Sequence, residues 1–196
     1  DIPVQSLETR FVKSRDIGEG VVALDFKTSR STLLRYLSGQ SVRLTLPSGA
    51  SSVFPLASCP CEGLSLSVHV LAGQVPGFAA DAGTLIRGDT IKVDGPLGDF
   101  TLDGESTRPI VVFATEPHYG AIHSLLSQIV NLELEQPVVL FRHALGRVEP
   151  YLSNYSRSLR DALDEFSYVK LETMDESAEA LCAALACSDV PVDWAA

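Results

Sequence analysis

The feature that most constrains this chain is a change of pattern near residue 105. Up to about Leu102, short runs alternate apolar and polar residues. "VVALDFKT", "QSVRLTLP", "LSLSVHVL" and "DTIKVDG" are strand-like, and Gly, Pro, Ser and Asp break them at near-regular spacing. That pattern predicts a small antiparallel Greek-key barrel with one helical interruption at residues 77–85. Beyond "TRPI" the period shifts. "PIVVFAT" is a continuous apolar run suited to a strand buried on both faces, and "GAIHSLLSQIVNLEL" then sets Ile122, Leu125, Leu126, Ile129 and Val130 on one helical face. "PVVLFRHA", "YLSNYSRSLRDALDEF" and "SYVKLETM" continue as strand, helix and strand. The expected architecture is a β barrel over residues 1–104 and a truncated parallel three-layer α/β domain over residues 105–196.

Composition sets outer bounds. The 196 residues are 45% hydrophobic and 20% charged, an ordinary globular balance. Fifteen Lys and Arg against 25 Asp and Glu give a formal net charge of −10, which disfavours nucleic acid and anionic lipid as partners. No apolar run approaches the roughly 20 residues of a membrane span and no export signal stands at the start, so no membrane insertion and a cytoplasmic location are expected.

Cys59-Pro60-Cys61 and Cys182-x4-Cys187 match neither a zinc pair nor an iron–sulfur run, and reduced thiols are expected. His69, His118, His123 and His143 lack metal-binding spacing and read as structural histidines, with His118 at a helix start the one of interest.

Several segments together resemble the ferredoxin reductase family, whose barrel binds FAD and whose second domain binds NAD(P)H. "YLSGQSVRLTLP" is similar to the family's F-x-P-G-Q-Y strand, and "FPLASCPCEGLSLSVHV" to its R-x-Y-S-I-A-S strand and the next. "RGDTIKVDGPLGDF" is similar to its P-G-D-x-V-x-V-x-G-P-x-G-x-F run. "PIVVFAT" and "VVLFRHALGRVEPYL" resemble the first two strands of the nucleotide domain.

The resemblance also exposes departures. At the places of the family's pyrophosphate-binding Arg, flavin-stacking aromatic and flavin-facing Ser stand Ser52, Phe54 and Pro55. A neutral Ser lacks the bidentate charge-assisted contact of Arg, and Pro55 has neither hydroxyl nor N–H. In the turn "GQVPGFAAD", Pro76 occupies the place of a phosphate-binding hydroxyl, although Gly73 and Gly77 remain. Where the family has a G-G-T-G nucleotide loop, this chain has Thr115, Glu116, Pro117 and His118. A carboxylate beside a phosphate repels it, and proline cannot donate. No C-G-P terminal strand follows. A helix over about 176–186 and a "VPVDW" tail are expected instead, which makes "PIVVFAT" a sheet edge.

Taken with these departures, the resemblance implies a non-catalytic accessory or structural subunit. It would bind neither FAD nor NAD(P)H and would dock on another protein such as an oxidoreductase or oxygenase component. The alternative is a flavin-carrying electron-transfer subunit, holding FAD or FMN through Phe54, Gly73 and Gly77 and fed by a partner protein.

Overall fold

A computed structural model describes residues 2–103, 105–116, 118–143 and 149–171. Pro117, Cys182, Cys187, the helix expected at 176–186 and the "VPVDW" tail lie outside the described residues. Contacts divide the chain into two compact units, Asp1–Asp103 with Pro117–Asn131, and Gly104–Glu116 with Leu132–Ala196.

The first unit contains six antiparallel strands: β1 Gln5–Asp16, β2 Val21–Lys27, β3 Ser41–Thr45, β4 Ser51–Pro55, β5 Ser65–Leu71 and β6 Thr90–Leu97. Their spatial order is β4-β3-β6-β1-β2-β5. A bridge between Leu56 and Val68, with the Ala57 amide donating to the Ser67 carbonyl at 2.8 Å, brings β4 back to β5 and nearly closes the barrel. The non-sequential neighbours β1–β6, β3–β6 and β2–β5 are the crossovers of a Greek key.

Alternation explains the inward set. In β3, Val42 and Leu44 are buried while Arg43 is exposed, as the two-residue period of a strand requires. Leu24, Phe26, Val68, Ile91 and Val93 complete much of the core. The short helix α1, Pro76–Ala82, covers part of it with Phe78 and Ala82.

Glycines of the two family-like segments have steric roles. Gly39 has φ +95°, and a Cβ there would lie 2.3 Å from the Phe100 carbonyl oxygen. A Cβ on Gly95 would meet Val42 Cγ1 at 2.7 Å. Beside Gly39, the Gln40 side-chain amide donates to the Gly98 carbonyl at 2.9 Å, tying the two turns together. Gly39→Ala is therefore expected to cost at least about 2 kcal/mol, through a disfavoured dihedral and a backbone clash. Urea denaturation checks it, and a loss below about 0.5 kcal/mol would refute the close approach.

A surface pair makes the first unit acid-sensitive. Arg15 Nε donates to Asp25 Oδ2 at 2.6 Å and Ser67 Oγ to Asp25 Oδ1 at 2.9 Å. Burial opposes ionisation of Asp25, but these hydrogen bonds outweigh it and hold the carboxyl below its usual 3.8. A depressed folded-state value contributes stability that is present above the unfolded value and lost as pH falls through the folded one. The advantage of the wild type over Asp25→Asn is thus expected to be constant from pH 7 to about 5 and to shrink below about pH 4. Its size is about 1 kcal/mol or less, because Arg15 is half exposed. Paired melts across this range measure it.

The second unit contains a parallel sheet of order β7-β8-β9, built from β7 Ile110–Thr115, β8 Val138–His143 and β9 Phe166–Leu171. All six residues of the central strand β8 are buried, which accounts for the apolar run of its first four. Among the described residues, β7 is an outer strand of this sheet. Helix α2, Tyr119–Asn131, lies in the first unit, and α3, Ser153–Ala162, precedes β9 in the second. None of the described helices is long and apolar enough to cross a membrane.

Candidate functional site

The link between β4 and β5 anchors the start of α2. Gly120 lies against it, where a Cβ would make ordinary van der Waals contact at 3.6 Å from Ala57 Cβ and from the Pro55 carbonyl oxygen. His123 Nδ1 is 2.8 Å from the Ala57 carbonyl, and Ser124 Oγ donates to the Ser58 carbonyl at 2.6 Å. The same carbonyl accepts from Tyr36 Oη at 3.1 Å. Burial pushes the Tyr36 phenol well above its usual value despite its contact with Ser58, so it stays a neutral donor. The Ala-Ser portion of the motif strand is thus a structural knot.

Above this knot, Val53, Phe54, Pro55, His69, Leu71, Gln74, Val75 and His118 line a cleft of about 120 Å³. That is smaller than the roughly 300–1,000 Å³ of a site enclosing a drug-sized molecule. It can grip an edge of a planar ring and not a whole dinucleotide. Val53, Leu71 and Val75 are apolar members of the lining, while His69, Gln74 and His118 carry polar groups.

The residues singled out from sequence are distributed unevenly. Phe54, Pro55 and His118 meet at the cleft. Phe54, however, shows only 6% of its surface and belongs to the barrel core, with its ring 4.8 Å from that of Phe78. Ser52 pairs with Leu44 in the β3–β4 ladder and is not a lining residue. Pro76 opens α1 at its first turn, where its fixed φ suits a helix and its missing N–H costs nothing. Gly73 and Gly77 flank it, and apart from chain neighbours and the local helix backbone no atom lies within 4 Å of where a Cβ on either would be. Their backbone is open to an approaching group.

Thr115 ends β7 beside His143 of β8. Glu116 follows, 1% exposed, and its Oε1 accepts from the Tyr151 amide at 2.8 Å and lies 3.5 Å from Arg142 Nη2. Arg142 is itself fully buried, donates to the Tyr151 carbonyl at 2.7 Å, and places its guanidinium 5.3 Å from the centre of the Tyr151 ring. The Glu116 carboxylate is thus turned into a buried ion pair, so its charge does not act as the exposed phosphate repellent that the motif comparison suggests.

Three features escape motif reading. His69 lies in β5, where strand alternation puts Ser65, Ser67, His69 and Leu71 on the same side. The period was a usable signal. Arg142 follows four apolar residues in a fully buried strand, a position that demands a partner. Cys59 and Cys61, expected as reduced thiols, are joined to each other as a disulfide; the spacing rules for metals and long-range pairs do not foresee a bond across one residue.

No family model matches the sequence. The reductase component 1 of terephthalate 1,2-dioxygenase from Comamonas sp is 26% identical over 137 residues, covering 69% of this chain and 40% of that protein. The NAD(P)H-flavin reductase of Vibrio harveyi is 25% identical over 152 residues, covering 74% of this chain and 62% of that protein. The chain therefore spans about two fifths to three fifths of the length of these relatives. Among solved structures, the Amycolatopsis cytochrome P450 reductase GcoB superposes with a TM-score of 0.73 at 24% identity, covering 86% of this chain and 52% of that one.

These relatives are named as reductases, which overturns the expectation of a non-catalytic accessory or structural subunit and, with it, the expectation that no cofactor is bound. The physical reason lies in the departures themselves. Ser52, Pro76 and Glu116 each have a local role in the fold, and none of them is a lining residue of the cleft. The homologues and structural neighbours of this chain are ferredoxin reductase and flavin reductase family proteins, whose fold of antiparallel barrel and parallel α/β unit it carries.

Proposed function

We propose that this chain is a flavin-carrying electron-transfer subunit that binds FAD or FMN at the barrel cleft and exchanges electrons with a partner protein, an oxidoreductase or oxygenase component, in the cytoplasm. The observation that carries the reading is a cleft lined in part by Val53, Leu71 and Val75, close in sequence to Gly73 and Gly77, where a Cβ would meet open space. Reductase components and flavin reductases among the relatives support it.

The residues present fit a flavin in kind. Val53, Leu71 and Val75 would exclude water from one side of the ring, and the backbone at Gly73 and Gly77 would face the phosphate. His69, Gln74 and His118 would offer hydrogen bonds at its polar edge. A bound flavin supplies a two-electron carrier that can release its electrons singly. Residues 1–104 would form the flavin-type domain and 105–196 the nucleotide-type domain.

An absorption spectrum of the protein purified from its native source, followed by mass spectrometry of what travels with it, tests the reading. Flavin absorbance together with a co-purifying oxidoreductase or oxygenase component is the expected result. A colourless protein that stays colourless after incubation with FAD or FMN would overturn it.

A further inference from the structure

The Cys59–Cys61 disulfide spans a single proline. A bond that closes so short a loop restricts the unfolded chain little, so a stabilising staple is a poor explanation for it. The turn is also closed without it. The Glu62 amide donates to the Cys59 carbonyl at 2.9 Å, the Cys59 amide to Glu62 Oε1 at 3.0 Å, and the Gly63 amide to the Pro60 carbonyl at 3.3 Å.

The two sulfurs differ in surroundings. Cys59 is 1% exposed, whereas Cys61 is exposed. Cys59 Sγ receives the Cys61 N–H at 3.2 Å and lies 3.0 Å from Gln128 Oε1 on α2. An amide N–H steadies a departing thiolate, and a side-chain carbonyl accepts the S–H of the thiol it becomes. The partners that reduced Cys59 needs are already in place.

We propose that Cys59-Pro60-Cys61 is a redox-active dithiol–disulfide pair that exchanges two electrons with dithiols. The thiolate of a dithiol reductant attacks Cys61 Sγ, the Cys59–Cys61 bond breaks, and a mixed disulfide forms on Cys61. The bonding pair leaves with Cys59 as thiolate, which takes a proton from solvent and, as the thiol, hydrogen-bonds through its S–H to Gln128 Oε1. The reductant's second thiolate then displaces Cys61. The protein ends with two thiols, and the reductant is oxidised to its disulfide. Reduction thereby replaces a bond within the turn by a hydrogen bond from the turn to α2, the helix whose start adjoins the cleft. The inference does not rest on flavin binding.

The test equilibrates the full chain in stepped ratios of reduced to oxidised dithiothreitol, quenches with acid, alkylates and maps each cysteine by mass. Cys59 and Cys61 should pass together and reversibly between disulfide and doubly labelled forms while circular dichroism stays native. With oxidised glutathione, the Cys59→Ser variant should be modified on Cys61 at least tenfold faster than the Cys61→Ser variant is on Cys59. Gln128→Leu should raise the disulfide-to-dithiol ratio in a fixed buffer about threefold, the worth of one modest hydrogen bond. The proposal fails if the pair never links in oxidising buffer, if it stays linked through the reducing end, or if both sulfurs react equally. Because the readout is mass on each sulfur, the result is independent of whether flavin binds.

Discussion

Replacing Glu116 by alanine is expected to lower stability by about 3–5 kcal/mol, the usual cost of removing one member of a buried ion pair. Both partners are at most 1% exposed, so Arg142 would lose the Glu116 carboxylate from its surroundings in the interior of the second unit. The Tyr151 amide would lose its acceptor as well. Glu116→Gln keeps an acceptor and removes the charge, so its loss is expected to fall between the alanine variant and wild type. The double variant Glu116→Leu/Arg142→Met should recover much of what either single change loses, because removing both charges removes the desolvation cost with the attraction. Urea denaturation with amide exchange across β8 reads all four proteins. A loss below about 1 kcal/mol for the alanine variant would show that the pair is hydrated and that the account of Glu116 is wrong.

Phe54→Ala is expected to cost about 3–5 kcal/mol, as for other aromatic deletions in a packed core. The ring is nearly buried and lies against Phe78, so its loss leaves a void beneath α1. Phe54→Leu fills much of that void and is expected to cost less than half as much. The two variants also separate two roles for the ring. If Phe54 acts through the core, the leucine variant keeps its flavin affinity within about twofold of wild type. If the ring is instead the platform on which a flavin stacks, the leucine variant loses affinity by tenfold or more with little change in its melting temperature. Thermal melts and flavin titration of both variants decide between these outcomes.

The fold was legible because its two halves have different periods. Alternation in "QSVRLTLP" and "LSLSVHVL" marks half-buried strands, while "PIVVFAT" and "PVVLFRHA" run apolar as the strands of a parallel sheet do. The site was less legible for a physical reason. Motif positions specify which residue occurs at a place and not which way it faces. Phe54 occupies the aromatic position yet its strand directs the ring into the barrel, and Glu116 occupies a loop glycine's position yet turns inward to Arg142. Counting Ser52, Pro55, Pro76 and Glu116 as lost ligand contacts is what implies an inert subunit. His69 carried the opposite lesson, since its alternation with Val68 and Val70 placed it on the side of the strand shared with Leu71, another residue of the cleft.

The central claim, that the cleft between β4, β5 and the start of α2 takes a flavin, is tested most directly by melting the protein with increasing FAD or FMN. A ligand that binds only the folded state at about a hundred times its Kd adds about 2.7 kcal/mol, or roughly 5–10 °C in Tm for a chain of this size. The account predicts a rise of that order that saturates with ligand. An unchanged Tm at millimolar flavin would contradict it.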